Sequence, residues 1–177
     1  MRECAFAILV LLASTPALAE PARYGLGRPP TPEELRALDI SVAPTGAGLP
    51  PGRGTARAGR ARYATLCAPC HGARGEGAGA FSALAGGRGT LSSAQPLLTV
   101  GSYWPYATTL WDYIRRGMPY LTPGTLGTDD VYALTAFVLH LDGIIDEDAV
   151  LSETTLPRVQ MPNRDGFVDD PRPGAPR

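Results

Sequence analysis

The chain has 177 residues, 21 of them glycine and 18 proline, and it carries 16 arginines, 17 acidic side chains and no lysine, for a formal net charge of −1. Glycine and proline at this level fall just short of the range that marks disorder, and they point to one small loop-rich domain with arms. A near-neutral chain gives no sign of nucleic-acid binding. At the amino terminus, Met1-Arg2 is followed by an apolar run from Ala5 to Ala13 and by Ala17-Leu18-Ala19. That order is a signal peptide over residues 1–19, with cleavage expected after Ala19. The run is too short to span a bilayer, so no membrane span is expected in the mature chain. Cleavage removes Cys4 and leaves two cysteines.

Residues 20–52 are expected to form an N-terminal arm. Within it, Thr31-Pro32-Glu33-Glu34 is a capping box that opens a short helix ending near Asp39. Residues 40–54, with Pro50-Pro51-Gly52, form a linker. A second helix is expected from Thr55 to Leu66, with Gly59 and Tyr63 on one face. It runs into Cys67-Ala68-Pro69-Cys70-His71. C-x-x-C-H is the attachment signature of a c-type haem. Two thiols three positions apart reach the two vinyl groups on one porphyrin edge, and the next residue brings an imidazole to the iron. A disulfide between Cys67 and Cys70 leaves His71 unexplained. A structural zinc site needs four ligands, and only Cys67, Cys70, His71 and His140 would remain, without a second paired motif. A thioredoxin-like pair needs a strand before the first cysteine, where this sequence reads as helix.

Residues 72–101 contain many glycines and no sustained periodicity, and they are expected to be one long loop. Loops of this length inside compact domains usually serve a function; wrapping a haem edge is one. A third helix is expected over Trp104 to Arg116, with Pro105 in its first turn and Leu110, Trp111 and Ile114 as its apolar stripe. Gly117-Met118-Pro119 stops it. The fourth helix has Thr128 as N-cap, Asp129 and Asp130 at the positive end of the dipole, and Val131, Leu134, Phe137, Val138 and Leu141 as its apolar face. Gly143 terminates it. Residues 144–177 are polar and proline-rich and are expected to lie along the surface as a C-terminal arm.

The order helix, C-x-x-C-H, glycine-rich loop, helix, Met-Pro, helix resembles class I cytochromes c. The resemblance implies an all-α fold with long loops and extended arms, its cytochrome domain over residues 53–143. It implies that the helix before the haem motif crosses the last helix through a glycine against an aromatic, with Gly59 and Phe137 as candidates and Tyr63 and Tyr132 alongside. It also implies a sixth iron ligand between the haem motif and the last helix, which is where Met118 lies. Met161 lies beyond that helix, and His140 sits near its end as an alternative ligand. A thioether raises the reduction potential and closes the iron.

A narrower resemblance covers most of the mature chain. The segments Leu84 to Leu91, Thr99 to Leu110, Asp112 to Arg116 and Met161-Pro162-Asn163-Arg164-Asp165-Gly166-Phe167 are similar to cytochrome c subunits of periplasmic sulfite and sulfane (Sox-type) dehydrogenases. In that family a molybdenum subunit oxidises the sulfur compound and the cytochrome removes the electrons. The resemblance implies a periplasmic, single-haem subunit, not catalytic on its own. It would take electrons one at a time from the molybdenum subunit and pass them to an acceptor such as another cytochrome c. Trp104, Tyr106 and Arg88 are candidates for the haem propionates, because indole N–H, phenol O–H and guanidinium all donate to carboxylate. Arg115 and Arg116 either steer an acidic partner or form an ordinary solvated helix end. The arms would clamp the partner. A free electron shuttle, or a ligand-binding haem sensor if Met118 leaves the iron open, are the other classes.

Overall fold

The computed structural model describes residue 24 and residues 26–172; the expected signal peptide over residues 1–19 lies outside them. The chain divides into two units after Leu38. In the first, helix α1 (Pro32–Leu38) forms as its capping box dictates. The Thr31 amide donates to Glu34 Oε2 at 2.8 Å, and the Glu34 amide donates to Thr31 Oγ1 at 3.2 Å. Arg28 closes a two-armed salt bridge on the same Glu34. Every residue of α1 is exposed, including Leu35 and Leu38.

The second unit begins at Asp39 and is built on two crossing helices, α2 (Ala56–Leu66) and α6 (Thr128–Leu141). Thr55 caps α2 by accepting the Ala58 amide at 3.1 Å. At the crossing, a Cβ on Gly59 would lie 2.1 Å from the Ala133 carbonyl oxygen. The two backbones therefore touch. The atoms nearest that Cβ belong to Ala133 and Leu134; Phe137, the expected aromatic, lies one turn further along α6 and stacks on Tyr63 with ring centroids 4.7 Å apart. Residue 127 is the cap position of α6, so Thr128 is its first residue instead of its N-cap. Gly143, at φ +64°, provides the expected stop.

The expected helix over Trp104 to Arg116 is two helices. α4 (Val100–Tyr103) is closed by a reciprocal Thr99–Ser102 capping box, and α5 covers Ala107–Gly117. Pro105 is the cause of the break. A residue before proline is driven out of the helical region, and Trp104 is extended at ψ 130°. Between α2 and α4 lie the short α3 (Ala68–His71) and the glycine-rich loop. Trp111 of α5 packs on Tyr132 of α6 at 5.3 Å.

The segments expected as linker and C-terminal arm are part of this core. Val42, Leu151, Leu156 and Met161 are buried in the same cluster as Trp111 and Tyr132. Strand β1 (Arg53–Gly54) pairs antiparallel with β2 (Leu151–Ser152), and a 3₁₀ turn follows at Leu156–Arg158. Their apolar residues are spaced too irregularly to mark a helix or strand, yet each covers core. Beyond Met161 the chain is half-buried at Asn163 and Arg164, then exposed to Arg172. No helix among the described residues is long and apolar enough to cross a membrane.

Candidate functional site

The C-x-x-C-H segment is wound as a continuation of α2. The Cys67 amide still donates to the Tyr63 carbonyl at 2.9 Å. α3 then turns once, with Pro69 in its first turn, where a missing N–H is harmless. The amides of Cys70 and His71 both donate back to the Cys67 carbonyl, at 3.1 and 2.9 Å. Gly72, at φ +81°, ends the turn; a Cβ there would meet the Glu76 carboxyl at 2.5 Å. The Tyr63 hydroxyl donates to the Gly72 carbonyl at 2.9 Å, tying α2 to the end of the motif. No disulfide joins Cys67 and Cys70. Burial, and Cys70 beside it, push the Cys67 thiol up to about 11.

His71 is oriented by a backbone carbonyl. Its Nδ1 lies 3.0 Å from the Ser82 oxygen. A carbonyl can only accept, so Nδ1 carries the hydrogen and Nε2 keeps its lone pair for a metal.

Cys67, Cys70, His71, Trp104 and Met118 line one cavity of about 460 Å3. Its walls are otherwise mainly apolar, with Leu110 and Ile114 from α5 and Leu134 and Val138 from α6, and no Asp, Glu or Arg is among its lining residues. Met118 stands immediately after α5, its amide still bonded to the Ile114 carbonyl at 3.0 Å, so the helix end delivers the thioether to the cavity. Met161 is 4 % exposed within the core and does not line the cavity. His140 does not line it either; its Nδ1 lies 3.1 Å from the Ile145 carbonyl. Two thiols, an imidazole with a free nitrogen and a thioether around an apolar cavity form a donor set suited to haem c. Among the described residues, no three His, Cys, Asp or Glu gather as a metal site made by protein donors alone.

The proposed propionate donors are divided. Trp104 lines the cavity and packs edge-on against Tyr113 at 5.8 Å. Arg88 and Tyr106 do not line it: Arg88 donates to the Asp142 carbonyl at 3.0 Å, and Tyr106 lies beneath the Arg164 guanidinium at 5.2 Å. Three contributors escaped the sequence reading. Ser82 acts through its main chain, which leaves no residue signature. Tyr113 lies one position before Ile114 of the apolar stripe and lines the cavity. Asp142 accepts the Gly86 amide at 2.6 Å and anchors the glycine-rich loop to the end of α6.

Residues 56–142 match the family model described as Cytochrome c. A chain in the crystal structure of the sulfane dehydrogenase SoxCD from Paracoccus pantotrophus is similar at 45% identity and a TM-score of 0.78. The similarity covers 85% of this chain and 74% of that one. No curated protein gives a match.

Proposed function

The chain belongs to the cytochrome c family, has the class I cytochrome c fold and is of the Sox type, and on that footing we propose that it is the single-haem electron-transfer subunit of a sulfane or sulfite dehydrogenase. Its partner would be a molybdenum-containing subunit, and its acceptor another electron carrier such as a second cytochrome c. The observation that carries this reading is the meeting of Cys67, Cys70, His71 and Met118 in one cavity without charged lining residues.

Haem c supplies a one-electron iron couple when bound. The chain's own residues do the rest. Cys67 and Cys70 hold the group through thioether bonds. His71 Nε2 and the Met118 thioether, which line the same cavity, would both ligate the iron and leave no place for a reactant, so that the chain would act as a carrier, not a catalyst. Trp104, which lines the cavity, would offer its N–H to a propionate. The apolar walls from α5 and α6 would shed water around the bound group, which would favour the less charged reduced state. Export to the periplasm, with cleavage after Ala19, would place the chain where c-type haem is attached.

The exposed apolar residues Tyr24, Leu26, Leu35 and Leu38 are the part of the expected N-terminal arm suited to dock on the partner. Two measurements test the reading. The mass of the exported chain should exceed that of its polypeptide by one haem, and a chain without haem ends the proposal. The chain should also co-purify with a molybdenum protein, and deleting residues 20–38 should release it. A haem-loaded chain that elutes alone is a free shuttle instead.

A further inference from the structure

The segment Met161 to Phe167 stands out in the sequence, yet nothing in the site just described uses it. The structure gives it a specific task. Met161 is anchored in the core. The next turn is tight: the Arg164 amide donates to the Met161 carbonyl at 3.1 Å and the Gly166 amide to the Asn163 carbonyl at 3.2 Å. A Cβ on Gly166 would sit 1.8 Å from Asn163 Oδ1 and would push that side chain aside. This turn presents three side chains to one short stretch of chain. Asn163 Nδ2 donates to the Tyr103 carbonyl at 2.7 Å. The Phe167 ring meets the Tyr103 ring edge-on at 5.2 Å. The Arg164 guanidinium covers the Tyr106 ring at 5.2 Å.

Tyr103 closes α4, its amide bonded to the Thr99 carbonyl at 3.0 Å, and the break between α4 and α5 follows it. Trp104 and Tyr106 are both extended there. Trp104, in the middle of it, lines the cavity. The clasp grips the residue before Trp104 and the second residue after it.

We infer that Asn163, Arg164 and Phe167 are positioning residues that hold Trp104 in the wall of the haem cavity and so tune the reduction potential of the group bound there. The sequence segment expected to grip a partner is used here to clasp the chain's own site. Loosening the clasp lets Trp104 withdraw, admits water and removes a donor from the propionates. Each of these effects favours the oxidised, more positive state. The potential therefore falls.

The test uses the full haem-loaded chain, with potentials measured by spectroelectrochemical titration. Asn163→Ala and Phe167→Ala should each lower the midpoint potential, and Phe167→Tyr should restore it. Amide exchange at residues 103, 104 and 106 should rise in parallel. In a Trp104→Phe background the shift from Asn163→Ala should shrink, because the clasp acts through Trp104. An unchanged potential overturns the inference, as does an undiminished shift in that background. Arg164→Gln removes only an outer contact, so it supplies the same comparison if the other variants fold poorly. The inference rests on the haem reading, and the mass of each variant keeps the two apart. A parent chain without haem defeats the proposed function, whereas a haem-loaded variant with an unmoved potential defeats only the clasp.

Discussion

Gly59→Ala sets two physical effects against each other. In an isolated helix the change is favourable by about 1 kcal/mol, because alanine is the better helix former. At the α2–α6 crossing the new methyl would lie 2.1 Å from the Ala133 carbonyl oxygen and 2.6 Å from its carbon, where ordinary contact begins near 3.4 Å. Both partners are main chain, so no rotamer change relieves the overlap and the helices must part by about 1 Å. Overpacking of this kind costs about 1–3 kcal/mol, and a rigid backbone contact belongs at the upper end. The expected net loss is about 2 kcal/mol, a fall in Tm of roughly 4–8 °C for a chain of this size. The matched control is Gly117→Ala at the end of α5, where the nearest atoms are 4.0 Å away on Tyr113 and helix propensity acts alone. Thermal unfolding of the haem-loaded proteins, followed by far-ultraviolet circular dichroism, reads both. A Gly59→Ala protein as stable as its parent, or more stable, would refute the backbone-contact account of the crossing.

Met118→Ala should abolish the far-red thioether-to-iron absorption of the ferric protein, and Met161→Ala should keep it; the second variant should instead lose about 2–5 kcal/mol of stability, as buried methionines do, and the reverse pattern would reassign the axial ligand. Glu34 is held down at about 2, from an ordinary 4.5, first by its bond to Arg28 and then by the Thr31 amide. A depressed carboxylate supports the folded state above its unfolded value, so the α1 capping box should be intact above pH 4.5 and fade as pH falls from there through 2. A carboxyl NMR titration checks this, and Arg28→Ala should return Glu34 toward 4.5. In the haem-free chain, Cys67 should react slowly with iodoacetamide at pH 8 and accelerate as pH climbs toward 11, because burial holds the thiol protonated; rapid labelling at neutral pH would show that the site is open.

What could be read from the sequence follows from which signals are local. The capping box at Thr31, the stop at Gly143 and the haem motif are each written within a few adjacent residues, and the apolar periodicity of α6 is strong. Pro105 misled because proline suits a first helical turn and also unwinds the residue before it; only the structure decides between the two, and Trp104 is extended. The burial of Leu151, Leu156 and Met161 was hidden by a polar, proline-rich composition, since their value lies in filling gaps between helices and not in a repeat of their own. Within the site, donor chemistry points to Trp104, Tyr106 and Arg88, but it says what a side chain can bond and not where it lies. The Ser82 carbonyl that orients His71 belongs to the backbone of any residue, so no choice of amino acid announces it.

The ribbon of β1 and β2 joins positions about a hundred residues apart, and the crossing at Gly59 and Ala133 spans most of that distance. Contacts between such remote partners must close long loops before they form, so they are expected late in folding. Residues of α6 wall the cavity that Cys67 and Cys70 line, and these two sulfurs should therefore be easiest for a bulky reagent to reach before the distant ends of the chain have met.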